Sequence, residues 1–174
     1  MLKIIKRDKL YVNQYKEYCK EFYDNNIVTF VPTNPERIDD TWFERTFELY
    51  ARKERESFDG YQKGVHFWAV DDSRFIGEFQ LRLELNDEIM LGMGSIGYSV
   101  RISEWGKGYG NEILKQGLEI ARSYGLEKVI LNINDDNYPS IHICEKNGGV
   151  IIDKLMLESE KGKHLVRRYW IYLT

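Results

Sequence analysis

The stretch Trp105-Gly106-Lys107-Gly108-Tyr109-Gly110-Asn111 separates a segment of strand character from a segment of helix character. Its three alternate glycines allow the backbone to present successive N–H groups without interference from Cβ atoms. The N-terminus of the helix that follows adds partial positive charge at the same point. This combination is typical of a phosphate or pyrophosphate site, to which Lys107 and Arg101 would add charge. The alternative is a tight strand-to-helix turn without a ligand.

Two other kinds of phosphate-binding loop do not fit these residues. The dinucleotide motif GxGxxG requires glycine at position 111, where the chain has Asn111. A Walker loop requires serine or threonine directly after Gly-Lys, but Gly108 follows Lys107. Arg101 also stands where that loop has its first glycine. A phosphate site here therefore belongs to another class of protein.

The segments around the turn predict an α+β fold of mixed α/β character. Residues 95–102 have strand character, residues 108–124 helix character, and residues 128–133 the character of a buried strand. A strand–helix–strand unit of this kind makes a parallel pair with a right-handed crossover. Residues 64–85 alternate as an antiparallel hairpin, so the sheet is expected to be mixed.

Alternation within the hairpin predicts one buried and one solvated face. The apolar face would carry Phe79, Leu81, Leu83 and Leu85, and the polar face Glu78, Gln80, Arg82 and Glu84. Residues 9–24 and 40–57 have apolar side chains at helical spacing, which predicts two N-terminal amphipathic helices. A further helix is expected after its cap, Asn137, and before Gly148-Gly149.

Composition narrows the class of protein. The chain has 174 residues, with 25 Lys and Arg against 28 Asp and Glu, for a net charge of −3. This balance argues against a nucleic-acid partner, because such proteins are usually basic. No apolar run is long enough to span a bilayer, and the charged residues near Met1 argue against a signal peptide. Cys19 and Cys144 lack disulfide or metal spacing, so we expect reduced thiols in a cytoplasmic protein without a metal.

Two stretches of the chain resemble the GNAT acyltransferases. Gly97-Tyr98-Ser99-Val100-Arg101 followed by Gly106-Lys107-Gly108-Tyr109-Gly110 is similar to their acetyl-CoA signature. That signature is Arg or Gln, two residues, Gly, any residue, and Gly or Ala. Downstream, Asn137-Tyr138-Pro139-Ser140-Ile141 and Glu145-Lys146-Asn147-Gly148-Gly149 resemble the family's Asn-x-x-Ser/Ala helix that ends in Glu-Lys-x-Gly. The two motifs have the family's order and separation, and the resemblance covers roughly residues 64–157.

The resemblance implies a central mixed sheet, flanked by helices and splayed where two parallel strands part, with the pantetheine arm of acetyl-CoA between them. Backbone groups of Tyr98 and Val100 would meet the thioester and the pantetheine. Asn137 and Ser140 would face the cofactor arm. The N–H groups that would hold the pyrophosphate belong to Gly106, Lys107, Gly108, Tyr109, Gly110 and Asn111.

The same resemblance implies that residues 1–174 form a single acetyltransferase domain. Residues 1–63 would be an N-terminal helical part on the substrate side. Residues 64–157 would be the acetyl-CoA-binding core, and residues 158–174 would contribute the closing strand.

Acetyl transfer to an amine requires a route for the amine's proton and donors for the oxyanion. Tyr98 is the candidate for the oxyanion donor, through its backbone N–H, and for a site-lining hydroxyl. Glu78 is the candidate base, because the glutamate that many relatives carry is missing from residues 92–95; a solvated surface charge is its alternative. Cys144 stands where many relatives have a tyrosine as general acid, and a small buried hydrophobe is its alternative. Trp105 replaces the Arg or Gln of the signature.

These residues predict an N-acetyltransferase that moves an acetyl group from acetyl-CoA to a primary amine by direct attack in a ternary complex. The alternative is an acyl-CoA-binding sensor or scaffold of the same fold. We expect a small-molecule or peptidyl amine, because Glu78, Glu84, Asp87 and Glu88 offer cations a favourable field. No nucleic-acid or membrane partner is expected, and a homodimer is left open.

Overall fold

The structure is a computed structural model of the chain. It describes residues 1–27, 34–87, 89–159 and 162–173. Glu88, one of the acidic residues expected near the acceptor, lies outside these ranges, as does the middle of the predicted turn between the last two strands.

Strands and helices follow the predicted order along the described chain. The strands are β1 (Lys3–Lys6), β2 (Gly64–Asp71), β3 (Arg74–Arg82), β4 (Ile96–Val100), β5 (Lys128–Asn134), β6 (Val150–Ser159) and β7 (Gly162–Tyr172). The helices are α1 (Val12–Asp24), α2 (Asp40–Arg55), α3 (Tyr109–Ser123) and α4 (Tyr138–Lys146). The predicted helices are confirmed to within a few residues, including the one that Asn137 caps.

The strands form two sheets in which all neighbouring strands are antiparallel. The first sheet has the order β1-β2-β3-β4 and the second the order β5-β7-β6. They meet just before β4, where the Ser95 N–H donates to the Ile130 carbonyl at 2.7 Å. In return, the Ile130 N–H donates to the Ser95 hydroxyl oxygen at 3.1 Å. Among the described residues no ladder continues from this junction along β4 and β5, so the expected parallel pair is reduced to one junction beside a gap.

Helices α3 and α4 cover one face of the sheets with mainly aliphatic packing. Gly117 of α3 lies directly on the ring of Phe79, since a Cβ at this glycine would be 2.2 Å from a ring carbon. Only glycine therefore allows α3 to approach β3 this closely. Other buried side chains in this layer are Leu81, Ile96, Ile113, Leu114, Leu118, Leu131 and Ile141.

Helices α1 and α2 cover the opposite face of the first sheet with aromatic side chains. Tyr15 stacks on Trp42 and on Trp68, with ring centroids 5.3 and 4.9 Å apart. Stacked and edge-on aromatic rings bury a large apolar area per side chain. The buried aromatic residues of this layer are Tyr11, Tyr15, Tyr18, Phe22, Phe43, Trp68 and Phe75.

The second helical layer overturns the expectation of a half-solvated hairpin. Strand β2 is buried along nearly its whole length, because α1 and α2 pack on the face that the alternation assigned to solvent. Glu78 is only 1% exposed, so its interpretation as a solvated surface charge is wrong. Glu84, beyond the end of β3, is exposed as expected.

Candidate active site

The glycine-rich turn presents a row of free backbone N–H groups at the start of α3. Gly106 and Gly108 have φ values of +77° and +86°, which L side chains rarely adopt. A Cβ at either glycine would meet nothing within 4 Å, so the space beside the turn is open. Among the described residues, no hydrogen-bond acceptor faces the N–H groups of Lys107, Tyr109 or Gly110. These groups and the helix N-terminus are suited to an anion.

The side chains of this turn fasten it to its surroundings. The Tyr109 hydroxyl donates at 2.8 Å to Asp71, the last residue of β2. The Lys107 ammonium donates to Glu104 at 3.0 Å. The Asn111 side-chain oxygen accepts from Asn147, at the end of α4, at 3.0 Å. Side-chain hydrogen bonds thus fix the position of the turn, while its backbone N–H groups stay available to a ligand.

Arg101 does not add charge to the rim of the turn. Its guanidinium donates to Glu21 of α1 at 2.9 and 2.6 Å and to the Phe75 carbonyl at 3.2 Å. This buried side chain fixes α1 against the first sheet.

Trp105, at the position of the signature's Arg or Gln, holds the end of β4. Its indole Nε1–H donates to the Val100 carbonyl at 2.8 Å. Its ring lies edge-on to Phe22 of α1, with centroids 6.3 Å apart. The replacement therefore links the glycine-rich turn, β4 and the aromatic layer.

The backbone of β4 presents polar groups to the gap between the sheets. The Arg101 N–H donates to the Ile76 carbonyl at 2.8 Å, which marks this opposed pair as hydrogen-bonded. Hydrogen-bonded and non-hydrogen-bonded pairs alternate along an antiparallel ladder. Tyr98, opposite Phe79, is therefore in a non-hydrogen-bonded pair. Its N–H and carbonyl, and the N–H of Val100, point away from β3 towards the gap.

The side chain of Tyr98 lies between the glycine-rich turn and α4. Its ring is 3.7 Å from the position that a Cβ on Gly110 would take. Burial raises the pKa of Tyr98 to about 12, and the nearby Ser140 hydroxyl acts in the opposite direction. Asn137 accepts a hydrogen bond from the Ser140 N–H at 3.3 Å and so caps α4. The structure thus brings Tyr98, Gly110 and Ser140 together.

Cys144 lies inside the aliphatic layer. Its side chain is fully buried, and a Cβ on Gly149 would be 2.5 Å from its sulfur. Burial raises the pKa of the Cys144 thiol to about 12. Such a weak acid is poorly suited to protonate a thiolate, and the location favours a packing role.

Glu78 belongs to a buried polar cluster on the α1 side of the first sheet. The Tyr18 hydroxyl donates to Glu78 Oε1 at 2.9 Å, and His66 Nε2 lies 2.6 Å from Oε2. The Tyr15 hydroxyl is 3.5 Å from Oε2. Tyr18 also forms a short hydrogen bond with the hydroxyl of Ser99 on β4. Sequence reasoning missed Tyr18, His66 and Ser99 as partners, although the helical spacing of Tyr15 and Tyr18 placed both on one face of α1.

Arg7 and His66 border a cleft of about 110 Å³ between β1 and α2. Burial lowers the pKa of Arg7, whose guanidinium packs over the rings of Trp42 and Tyr50 at 5.2 and 4.7 Å. Burial likewise lowers the pKa of His66, against the opposing effect of Glu78. Neutral His66 therefore donates from Nε2 to Glu78.

Within the ranges that the structure describes, no group of three His, Cys, Asp or Glu side chains is arranged to hold a metal ion. None of the helices there is long and apolar enough to cross a membrane.

A sheet that parts beside a helix N-terminus with unpaired N–H groups, between two helical layers, is the architecture that the resemblance to the GNAT acyltransferases implies. Comparison with known families agrees, because the model of the acetyltransferase (GNAT) domain matches residues 8–150. The chain therefore belongs to the GNAT acetyltransferase family. A search of curated proteins gave no match.

Solved structures support the same fold. RimL, a ribosomal L7/L12 alpha-N-protein acetyltransferase in complex with coenzyme A, has a TM-score of 0.73 at 12% identity, over 98% of this chain and 93% of that chain. Mutant forms of the spermidine/spermine N-acetyltransferase SpeG from Vibrio cholerae have a TM-score of 0.67 at 17% identity, over 99% of this chain and 95% of that chain. The putative acetyltransferase yncA from Salmonella typhimurium, with its cofactor acetyl-CoA, has a TM-score of 0.66 at 15% identity, over 99% of this chain and 94% of that chain. At these identities the similarity establishes the fold.

Proposed function

We propose that this protein transfers an acetyl group from acetyl-CoA to a primary amine by direct attack in a ternary complex. One observation carries the proposal: the free N–H groups of residues 106–110 lie at the start of α3, and the Tyr98 backbone points into the adjacent gap. The two features together offer a continuous backbone surface for a pyrophosphate and the amide-bearing arm attached to it.

The residues of this surface have distinct roles in the proposal. The N–H groups of residues 106–110 would hold the pyrophosphate, while Tyr98 and Val100 would bind the pantetheine amides. The expected contribution of the Asn111 N–H is not retained, because it already donates to the Gly108 carbonyl at 3.1 Å. Ser140 and the cap residue Asn137 would line the arm from α4. The Tyr98 N–H is the candidate donor to the oxyanion that develops during attack, since a preorganised donor gains strength in a site closed to water. Cys144 has a packing role only.

The acceptor amine has to lose a proton before it attacks. A lysine-like amine with a pKa of about 10.4 is almost entirely protonated at pH 7, which costs about 5 kcal/mol. The relatives include enzymes whose names specify spermidine or spermine and a protein α-amine. A small-molecule or peptidyl primary amine is therefore the proposed acceptor class. Neither a nucleic acid nor a membrane is part of the proposal, and the free, buried Cys19 and Cys144 support a cytoplasmic setting.

The second candidate is an acyl-CoA sensor or scaffold without catalysis. It is favoured by the absence of a glutamate from β4 and from the residues directly before it (92–100), and by the buried, weakly acidic Cys144. Both candidates require the same cofactor surface, so binding alone does not separate them.

Release of coenzyme A from acetyl-CoA, measured against a panel of polyamines, amino acids and peptides, tests the proposal. Amine-dependent release together with an acetylated product by mass spectrometry supports catalysis. Tight calorimetric binding of acetyl-CoA without release for any amine supports the sensor instead. No binding of acetyl-CoA would contradict both.

A further inference from the structure

Two hydroxyl groups connect β4 to the buried Glu78. Ser99 follows Tyr98 in the strand, so its side chain lies on the opposite face of the sheet, towards α1. Its hydroxyl is hydrogen-bonded to that of Tyr18, which donates to Glu78 Oε1 at 2.9 Å. Ser99 is partly exposed, whereas Tyr18 and Glu78 are almost completely buried. The chain of hydroxyls thus runs from a partly exposed residue of β4, next to Tyr98, into the aromatic layer.

The direction of these hydrogen bonds suits the movement of a proton. The Tyr18 O–H points to a carboxyl group, so the Tyr18 oxygen is free to accept from the Ser99 O–H. The Ser99 oxygen keeps lone pairs for a further donor. Each hydroxyl can therefore accept one proton as it passes on another, and neither has to remain charged. Burial next to Glu78 raises the pKa of Tyr18 well above its usual value, which disfavours a free tyrosinate.

We propose that Ser99, Tyr18 and Glu78 form a proton relay that deprotonates the acceptor ammonium. This inference rests on the proposed amine acetyltransferase function. It differs from a base in direct contact with the amine, because Ser99 is the residue that would touch the acceptor. Tyr18 and Glu78 would act through it from inside the aromatic layer.

The atoms and charges of the relay balance. An N–H bond of the ammonium breaks and its proton binds Ser99 Oγ, while the Ser99 proton moves to Tyr18 and the Tyr18 proton moves to Glu78. The amine keeps the electron pair, and Glu78 becomes a neutral acid. After attack on the thioester carbon, the C–S bond breaks, and a remaining N–H proton neutralises the thiolate. Glu78 returns its proton along the same hydroxyls to solvent water at Ser99 once the product has left, so that the net reaction releases one proton.

His66 is a positioning residue in this relay. Its Nε2–H donates to Glu78 Oε2 at 2.6 Å, which leaves Oε1 facing Tyr18. The other titratable groups packed around Glu78 come from several elements. They are Tyr15 and Cys19 of α1, Tyr50 of α2, and Arg7 in the segment after β1.

The test compares two buried tyrosines of α1. Tyr18→Phe removes the hydroxyl that connects Ser99 to Glu78 and keeps the ring. Tyr15→Phe is the matched control, since Tyr15 also lies beside Glu78, at 3.5 Å, whereas the hydrogen bond to the Ser99 hydroxyl within the described chain comes from Tyr18. Thermal unfolding first establishes that both variants fold. The rate of amine acetylation, as kcat/KM, is then measured from pH 7 to pH 10.

We expect Tyr18→Phe to lose about 100-fold in kcat/KM at pH 7, and Ser99→Ala to lose a similar factor. Both losses should shrink to a few-fold near pH 10, where roughly a quarter of a lysine-like amine is already neutral, against less than about a thousandth at pH 7. Tyr15→Phe should stay within about threefold of the parent at every pH.

Three outcomes would overturn the relay. The Tyr18→Phe loss could match that of Tyr15→Phe, or it could persist undiminished at pH 10, as it would for a purely structural defect. A parent protein that binds acetyl-CoA but acetylates no amine would instead remove the proposed function and the relay with it. The first two outcomes leave the acetyltransferase function intact.

Discussion

The two faces of the first sheet present their chemistry in different ways. On the α3 side, the candidate cofactor groups are the backbone N–H groups of residues 106–110 and, at the open edge of β4, the N–H and carbonyl of Tyr98. On the α1 face, the polar groups are side chains from separate elements, with Tyr18 from α1, Glu78 from β3 and Ser99 from β4. A backbone surface depends on conformation and tolerates changes of side chain. A side-chain cluster depends on the identity of every member, so a single substitution is enough to interrupt it.

A substitution at Gly108 is the most direct test of the proposal that backbone N–H groups bind the pyrophosphate. Asparagine adopts a positive φ more readily than most other residues with a side chain, so Gly108→Asn should preserve the turn. Its side chain nevertheless adds bulk beside the free N–H groups. We expect coenzyme A affinity to fall about 100-fold by calorimetry, equivalent to about 2.7 kcal/mol.

Gly125→Asn is the matched control for this change. Gly125 lies at the other end of α3 with φ +79° and an equally open Cβ position. Its variant should carry similar backbone strain and bind coenzyme A as the parent does. Equal affinity of the two variants would show that the turn after β4 is not the pyrophosphate site.

A substitution at Gly117 tests whether α3 packs close to the first sheet because this position has no side chain. Gly117→Ala would place a carbon 2.2 Å from the Phe79 ring, so we expect overpacking to cost about 2 kcal/mol in the free energy of unfolding. Urea unfolding measures this cost. Helix propensity alone predicts the opposite sign, a gain of about 1 kcal/mol, and that result would contradict the close approach. Phe79→Leu in the same background should relieve part of the loss.

The contrast between the two faces also explains which parts of the fold and of the candidate site could be predicted from the sequence. Gly108 and Asn137 carry local signals, a positive-φ turn and a helix cap, so the fold and the candidate cofactor surface could be predicted from short motifs. The Tyr18–Ser99 contact joins residues 81 positions apart and has no local signal. Glu78 was misread for a related reason, because alternation along β3 shows two faces but not whether a helix covers the second.

The buried cluster on the α1 face should make the stability of the protein depend on pH below neutrality. Burial lowers the pKa of His66, although Glu78 raises it and Arg7 and Lys53 lower it further. Between that lowered value and about 6.5, the folded state binds fewer protons than the unfolded state, so unfolding free energy rises with pH through this window. We expect Tm to fall as pH drops below about 6.5, and less steeply in His66→Gln, which retains a donor for Glu78. Identical slopes would show that His66 is not held neutral.

The smallest expected effect is at Trp105, the residue that touches both faces. Its indole N–H holds the Val100 carbonyl at 2.8 Å, and its ring meets Phe22 of the aromatic layer. Trp105→Phe keeps most of the ring contact and removes the donor, so we expect a loss of about 1 kcal/mol in unfolding free energy and a few-fold loss in coenzyme A affinity. Trp105→Gln supplies a residue of the family signature, with a side-chain N–H to replace the indole donor, and should restore affinity to within about twofold. If Trp105→Phe instead bound coenzyme A as tightly as the parent with an unchanged Tm, the end of β4 would be fixed by its ladder with β3 alone, and the two faces would be independent at this point.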